Sequence, residues 1–261
     1  MSFTTLLDSI RATDSGYRVA IDASWGQGRA TFGGAVAGIA NEVLRRLVPR
    51  ERPLRSLHTT FVGPAASGEW HLRAEVVRVG KSVSVARCDV VESDRIAATV
   101  IGVYGGARTS AVEVPLEAIA PLCSVAELPP PQMQHAPTFT GHFDYRWARA
   151  ASLFSSADNM PTQVYVRHRH AARMDESHLI ALIDCIPSPA LAMFRAPAPA
   201  SSLTWTVELI APDIDVASDA WWRLDTRIDA AANGYVHETG VLHDPAGRAV
   251  ALTRQLVAVF G

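Results

Sequence analysis

Thr31-Phe32-Gly33-Gly34-Ala35-Val36-Ala37-Gly38 is followed about twenty residues later by Leu57-His58-Thr59-Thr60-Phe61-Val62-Gly63-Pro64. The first stretch opens a helix on two glycines, and its first turns carry almost no polar residue. Val36, Ile39, Ala40, Val43 and Leu47 recur at helical spacing, which predicts a helix from about Gly33 to Leu47. Arg45, Arg46 and Arg50 lie at its C-terminal end, where cations are favoured, and Pro49 and Pro53 stop it. A helix apolar nearly all round must be wrapped by other structure, and a strongly curved sheet is a natural wrapper.

The surrounding pattern supplies that sheet. Gly16 to Trp25 alternates as a strand, and further strands are expected at Leu57–Val62, Trp70–Val79, Ser82–Val91 and Arg95–Tyr104. Residues 1–110 therefore read as one unit. Residues 111–140 carry Pro115, Pro121, Pro129, Pro130, Pro131 and Pro137, which suits an extended crossover and neither a central strand nor a helix interior. Residues 141–261 repeat the plan. Strands are expected at His142–Arg149 and Gln163–His170, then a shorter helix at Glu176–Ile186. Four more strands follow at Ser201–Ile210, Trp221–Asp229, Gly234–Leu242 and Arg248–Phe260. The repeated order of elements is the signature of a duplication.

Composition narrows the function classes. The chain has 261 residues, 48% of them hydrophobic and 19% charged, so a sizeable core is expected and global disorder is not. The formal net charge is −2, and no basic run points to nucleic acid. Cys88, Cys123 and Cys185 are widely spaced and odd in number, which argues against a disulfide scaffold or a structural zinc site and for a reducing cytoplasm. The first residues lack the charge and apolar core of a signal peptide, and no apolar run approaches the roughly 18 residues that span a bilayer. No stable membrane insertion is expected. His168 and His170 share a strand face with His178 nearby in sequence, but no carboxylate or cysteine stands at a diagnostic spacing. A solvated or coenzyme-facing strand is expected there, with no metal. There is no Gly-x-Ser-x-Gly elbow, dinucleotide fingerprint or phosphate loop.

Phe32-Gly33-Gly34 with its small-residue helix, His58 through Gly63-Pro64, and the terminal Thr253-Arg254-Gln255 together resemble the type II acyl-CoA thioesterase family. The resemblance implies an α+β double hot-dog: two tandem units, each a curved antiparallel sheet around a central helix. It also implies hydrolysis of an acyl-CoA without a cofactor, and a dimer of double hot-dogs. In that family an aspartate, a threonine or serine, and a glutamine hold the attacking water. Carried over by position, these fall on Asp184, Ser202 and Gln255. The family usually has threonine at the Ser202 position, and an Asp-His pair where this chain has Thr204-Trp205. Thr204 lies on the same strand face as Ser202, because side chains alternate with period two, and is the stand-in if Ser202 is not the hydroxyl.

The residues also carry weight by themselves. Asp184 sits late in the apolar run Leu179 to Ile186, where a buried carboxylate needs partners; a helix-end aspartate turned to solvent is the plain reading, and a general base the functional one. Gln255 shares an apolar strand face with Thr253, Val257 and Val259, where it either satisfies backbone groups or orients a water. Ser202 by itself suits a strand entry. Gly33 and Gly34 permit a tight helix entry, and their backbone N–H groups are placed to polarise a carbonyl. His58 on a strand is expected to support the site rather than act in it. The acyl chain is expected in an apolar channel between the halves. The competing readings are a non-catalytic acyl or acyl-CoA binding protein and a hot-dog hydratase, the latter needing a histidine–aspartate pair at a glycine-bearing helix.

Overall fold

The computed structural model describes residues 1–116, 119–131 and 136–260. In chain order, a short helix α1 (Phe3–Asp8) precedes strands β1 (Arg11–Thr13) and β2 (Gly16–Ile21), and the two-residue strands β3 (Gly26–Gln27) and β4 (Ala30–Thr31) precede helix α2 (Gly33–Arg45). The first half closes with β5 (Leu54–Phe61), β6 (Gly68–Val79), β7 (Val83–Glu92) and β8 (Arg95–Gly105). The second half has β9 (Phe143–Arg149), β10 (Thr162–His168), helix α3 (Glu176–Ile183), β11 (Ala200–Leu209), β12 (Trp222–Ala232), β13 (Tyr235–His243) and β14 (Ala249–Val259).

Twelve strands form one continuous sheet in the order β1-β2-β6-β7-β8-β5-β11-β14-β13-β12-β10-β9. Read outward from its centre, β5-β8-β7-β6-β2 on one side mirrors β11-β14-β13-β12-β10 on the other. Each half is a hot-dog unit, and the chain is a double hot-dog. The seam is antiparallel pairing of β5 with β11, from Thr60 opposite Thr204 to Ser56 opposite Glu208.

Both helices lie inside this sheet and against each other. Residues Gly34 to Asn41, Val43 and Leu44 of α2 are buried, as are Ser177 to Ile183 of α3. The close approach needs glycine. A Cβ at Gly34 would lie 2.9 Å from the Ala181 carbonyl oxygen, and one at Gly38 would lie 2.8 Å from that of Ser177. These glycines are one turn apart, so α3 rests on a bare stripe of α2. Asn41 crosses the same contact, donating to Ser177 Oγ at 3.0 Å and accepting from Tyr104 Oη at 2.9 Å. A buried amide so partnered costs little and fixes the register of the two helices.

Three differences from the sequence reading have physical causes. Helix α3 stops at Ile183, not Ile186, because Asp184 leaves the helix at φ −93°, ψ 0° ahead of the Pro187 and Pro189 breaks. Helix α1 was not anticipated; six residues give too little periodicity, and it is fixed by packing of Phe3, Leu6 and Leu7 and a Ser2 cap. The crossover is more structured than an extended linker. It holds 3-10 turns at Val125–Glu127 and Thr138–His142, and it is tied to β10, where Leu122 N donates to Gln163 Oε1 at 2.7 Å and Tyr165 Oη donates to the Cys123 carbonyl at 2.7 Å.

Candidate active site

Asp184 is the first residue past α3, on the inner side of the sheet. Its carboxyl sits beside the start of α2: a Cβ added to Gly33 would fall 2.8 Å from Asp184 Oδ2, and the Gly34 N–H favours the ionised carboxylate. Phe32 precedes helix α2 without a side-chain cap, and the Gly33 and Gly34 N–H groups, which have no intrahelical acceptor, lie at the end of the helix beside this carboxylate. Two helix ends therefore act on Asp184. The positive end of α2 favours its ionised form, and the negative end of α3 disfavours it.

Gln255 links the other two residues. Its Nε2 donates to Asp184 Oδ1 at 3.3 Å and to Ser202 Oγ at 2.6 Å. Three side chains from α3, β11 and β14 thus meet beside the N-terminus of a helix from the other half. Burial pushes the Asp184 carboxyl up to about 7, against the lowering effect of Gln255 and Gly34; Glu238 also raises it.

The structure does not bring Thr204 or His58 to this point. A bulge at Leu203 breaks the alternation of β11: Ser202 lies opposite Val257, while Thr204 lies opposite Leu256, so two steps on one strand match one on the other. Ser202 therefore shares the inner face with Trp205 rather than with Thr204, and the expectation that Thr204 stands in for Ser202 is corrected. His58 is on the exposed face of β5, its Nδ1 3.0 Å from Thr206 Oγ1 and its Nε2 3.4 Å from Thr60 Oγ1. It ties the outer side of the seam and does not reach Asp184.

The space beside the trio also differs from the expected channel. It is a small cavity of about 370 Å³, counting its open mouth. Its lining, from Ile183 to Gln255, comes wholly from the second half. Ile183, Ile186, Pro187, Pro189 and Trp205 give it apolar walls, but Ser188, Thr226, Glu238 and Thr253 face it too. Trp205 is 2% exposed and donates from Nε1 to Thr253 Oγ1 at 2.7 Å. Glu238 escaped the sequence reading. The signal was there: on β13 it shares a strand face with Val236, Gly240 and Leu242, so a carboxylate stands on an inward face.

Two other clusters are structural. His168, expected on a solvated or coenzyme-facing strand, is 3% exposed, and burial lowers it to about 3. It stacks on Phe3 at 5.6 Å, and its Nε2 is 2.8 Å from the His178 carbonyl oxygen. His178 and Asp175 do form a pair, 2.7 Å apart, but the other ring nitrogen is 2.9 Å from Thr4 Oγ1, and the pair clamps α1 onto α3. That is not the glycine-flanked pair a hydratase needs. Among the described residues, no group of three or more His, Cys, Asp or Glu side chains is placed to hold a metal, and no helix is long and apolar enough to cross a membrane. All three cysteines are free thiols, and burial pushes Cys88 up to about 12 and raises Cys185, so neither is a thiolate near neutrality.

The chain is a mirrored double hot-dog, with Asp184, Ser202 and Gln255 half-buried together at a helix start. Models of the acyl-CoA thioesterase N-terminal and C-terminal domains match residues 21–105 and 122–259. The chain belongs to the acyl-CoA thioesterase family. No curated protein gives a significant match. Among solved structures, a hot-dog-fold protein of unknown function from Alicyclobacillus acidocaldarius is 20% identical, with a TM-score of 0.90 over 99% of this chain and 98% of that one. An acyl-CoA thioesterase II from Mycobacterium marinum is 19% identical, with a TM-score of 0.79 over 99% and 98%. The TesB protein of Mycobacterium avium subsp. paratuberculosis is 14% identical, with a TM-score of 0.83 over 99% and 98%. At such identities the likeness establishes the fold.

Proposed function

We infer that the protein hydrolyses an acyl-CoA thioester by direct attack of a water that Asp184, Ser202 and Gln255 hold. The observation that supports this best is the Gln255 amide bridging Asp184 Oδ1 and Ser202 Oγ at the uncapped start of α2. In this reading the Asp184 carboxylate takes a proton from the water, and the water oxygen bonds to the thioester carbon. The carbonyl electrons move to oxygen, where a backbone N–H stabilises the charge. The backbone N–H groups of Gly33 and Gly34 at the uncapped start of α2 are the donors we assign to the oxyanion. Collapse of the intermediate breaks the carbon–sulfur bond, and the proton on Asp184 passes to the departing CoA sulfur. A hydrated carboxylate would be a poor base at neutral pH. The half-buried Asp184, pushed up to about 7, is matched to the task. A dimer of double hot-dogs belongs to the same reading, and sedimentation of the purified chain tests it.

The test is release of free thiol from a series of acyl-CoA esters. Asp184→Asn removes the base at nearly constant shape and is expected to lower kcat by about 10²–10⁴-fold with the thermal unfolding transition retained. An Asp184→Asn protein as fast as the wild type on every ester would overturn the assignment of the base. A wild-type protein that binds these esters and releases no thiol would establish the binding-protein reading instead.

A further inference from the structure

Glu238 and Thr226 line the same cavity as Asp184 and Gln255, yet the proposed chemistry uses neither. Glu238 is 6% exposed and lies directly opposite Gln255 in the β13–β14 pairing. One of its oxygens, Oε1, accepts from Ser188 Oγ. Thr226 Oγ1 is buried and has no hydrogen-bond partner. The spacing of this wall depends on Gly240, which faces both Thr226 and Thr253: a Cβ there would lie 2.9 Å from Thr226 Cγ2 and 3.0 Å from Thr253 Cγ2. The bare position lets the two threonines close on each other beside the carboxyl. The buried Thr226 hydroxyl is orphaned and unfavourable unless a ligand pairs it, and the desolvated Glu238 carboxyl, held by Ser188, has acceptor capacity to spare.

Resting on the thioesterase reading, we propose that Glu238 and Thr226 form the acyl end of the substrate site and select short acyl groups that carry a hydroxyl. The hydroxyl donates to the Glu238 carboxyl and accepts from Thr226 Oγ1, so both groups find partners. A plain methylene chain leaves the Thr226 hydroxyl unpaired and buries apolar surface against the Glu238 carboxyl. A long chain would press apolar surface onto this polar end of the cavity. An ammonium brings three donors and no acceptor, and so leaves the Thr226 hydrogen without a partner. Burial pushes Glu238 up to about 7, so near neutrality its carboxyl can meet a neutral hydroxyl without an uncompensated charge.

The test separates binding from hydrolysis. Binding of butyryl-CoA, its 2-, 3- and 4-hydroxy derivatives, 4-aminobutyryl-CoA and decanoyl-CoA to full-length Asp184→Asn is measured by calorimetry. The expected result is one hydroxy isomer binding at least about tenfold more tightly than butyryl-CoA. Adding Thr226→Val, which is isosteric and removes only the unpartnered hydroxyl, is expected to bring that ratio close to one; Glu238→Gln is expected to lower it. Equal binding of butyryl-CoA and all three hydroxy isomers overturns the proposal. So does tighter binding of the decanoyl or amino ester, or a ratio that Thr226→Val leaves unchanged. Thiol release by the wild type without a hydroxyl preference overturns this pocket and leaves the thioesterase reading intact. A hydroxyl preference in binding without thiol release from any ester does the reverse.

Discussion

Asp184 lies between two helix ends with opposite effects on its charge. Burial dominates and pushes it up to about 7, which fixes the direction of two pH dependences. In the proposed reaction Asp184 acts as the base in its ionised form, so kcat/KM is expected to rise through pH 7 and level off above it. A profile flat from pH 5 to 9 would show that no such group controls the rate. Stability runs the other way. The folded carboxyl binds its proton more tightly than an unfolded aspartate at 3.8, so between these values the native state holds more protons and stability falls as pH rises. Holding the ionised form costs roughly 4 kcal/mol above pH 7. Asp184→Asn is therefore expected to raise the Tm at pH 8 and leave it nearly unchanged at pH 4. A Tm gain equal at both values, or larger at pH 4, would contradict the burial argument.

At the scale of elements, the start of α2 serves two ends through neighbouring glycines. Gly34 and Gly38 make room for α3, whereas Gly33 makes room for the Asp184 carboxylate. A methyl at Gly33 would sit 2.8 Å from Asp184 Oδ2 and 3.1 Å from the Phe61 ring, so the carboxylate has to shift. Gly33→Ala is expected to lower kcat by about 10²-fold, the usual effect of a displacement near 1 Å in a reacting group. Gly38→Ala meets the Ser177 carbonyl at 2.8 Å and the Phe3 ring at 2.9 Å, far from the carboxylate. It is expected to lower the Tm by several degrees with a much smaller effect on kcat. Calorimetry and thiol release on the two variants check the division; equal effects of both variants on rate would refute it.

In the whole molecule, the seam joins what the chain separates. Strand β5 hydrogen-bonds β11 across it, and α2 buries the stripe of Gly34 and Gly38 against α3. The proposed base, Asp184, comes from the second half and the helix start from the first. Residues 1–110 by themselves would expose both the edge of β5 and the bare face of α2. That fragment is expected to aggregate or self-associate in size-exclusion chromatography; a monomer with a cooperative thermal transition would contradict the coupling described here.

The sequence by itself determined the local facts. The apolar period of α2, the alternation of the strands and the proline breaks are short-range signals, and nearly every strand and both central helices were legible from them. Asp184, Ser202 and Gln255 were named from a resemblance, since a lone serine or glutamine carries no pattern. Tertiary structure decided the rest, because it depends on pairing between distant residues. The bulge at Leu203, which turns Thr204 away from Ser202, arises only in the ladder between β11 and β14. The outward turn of His58, the burial of His168 and the polar end built by Glu238 and Thr226 depend equally on partners far along the chain. Periodicity assigns a face to a residue only while the register holds, and the register is set by the partner strand.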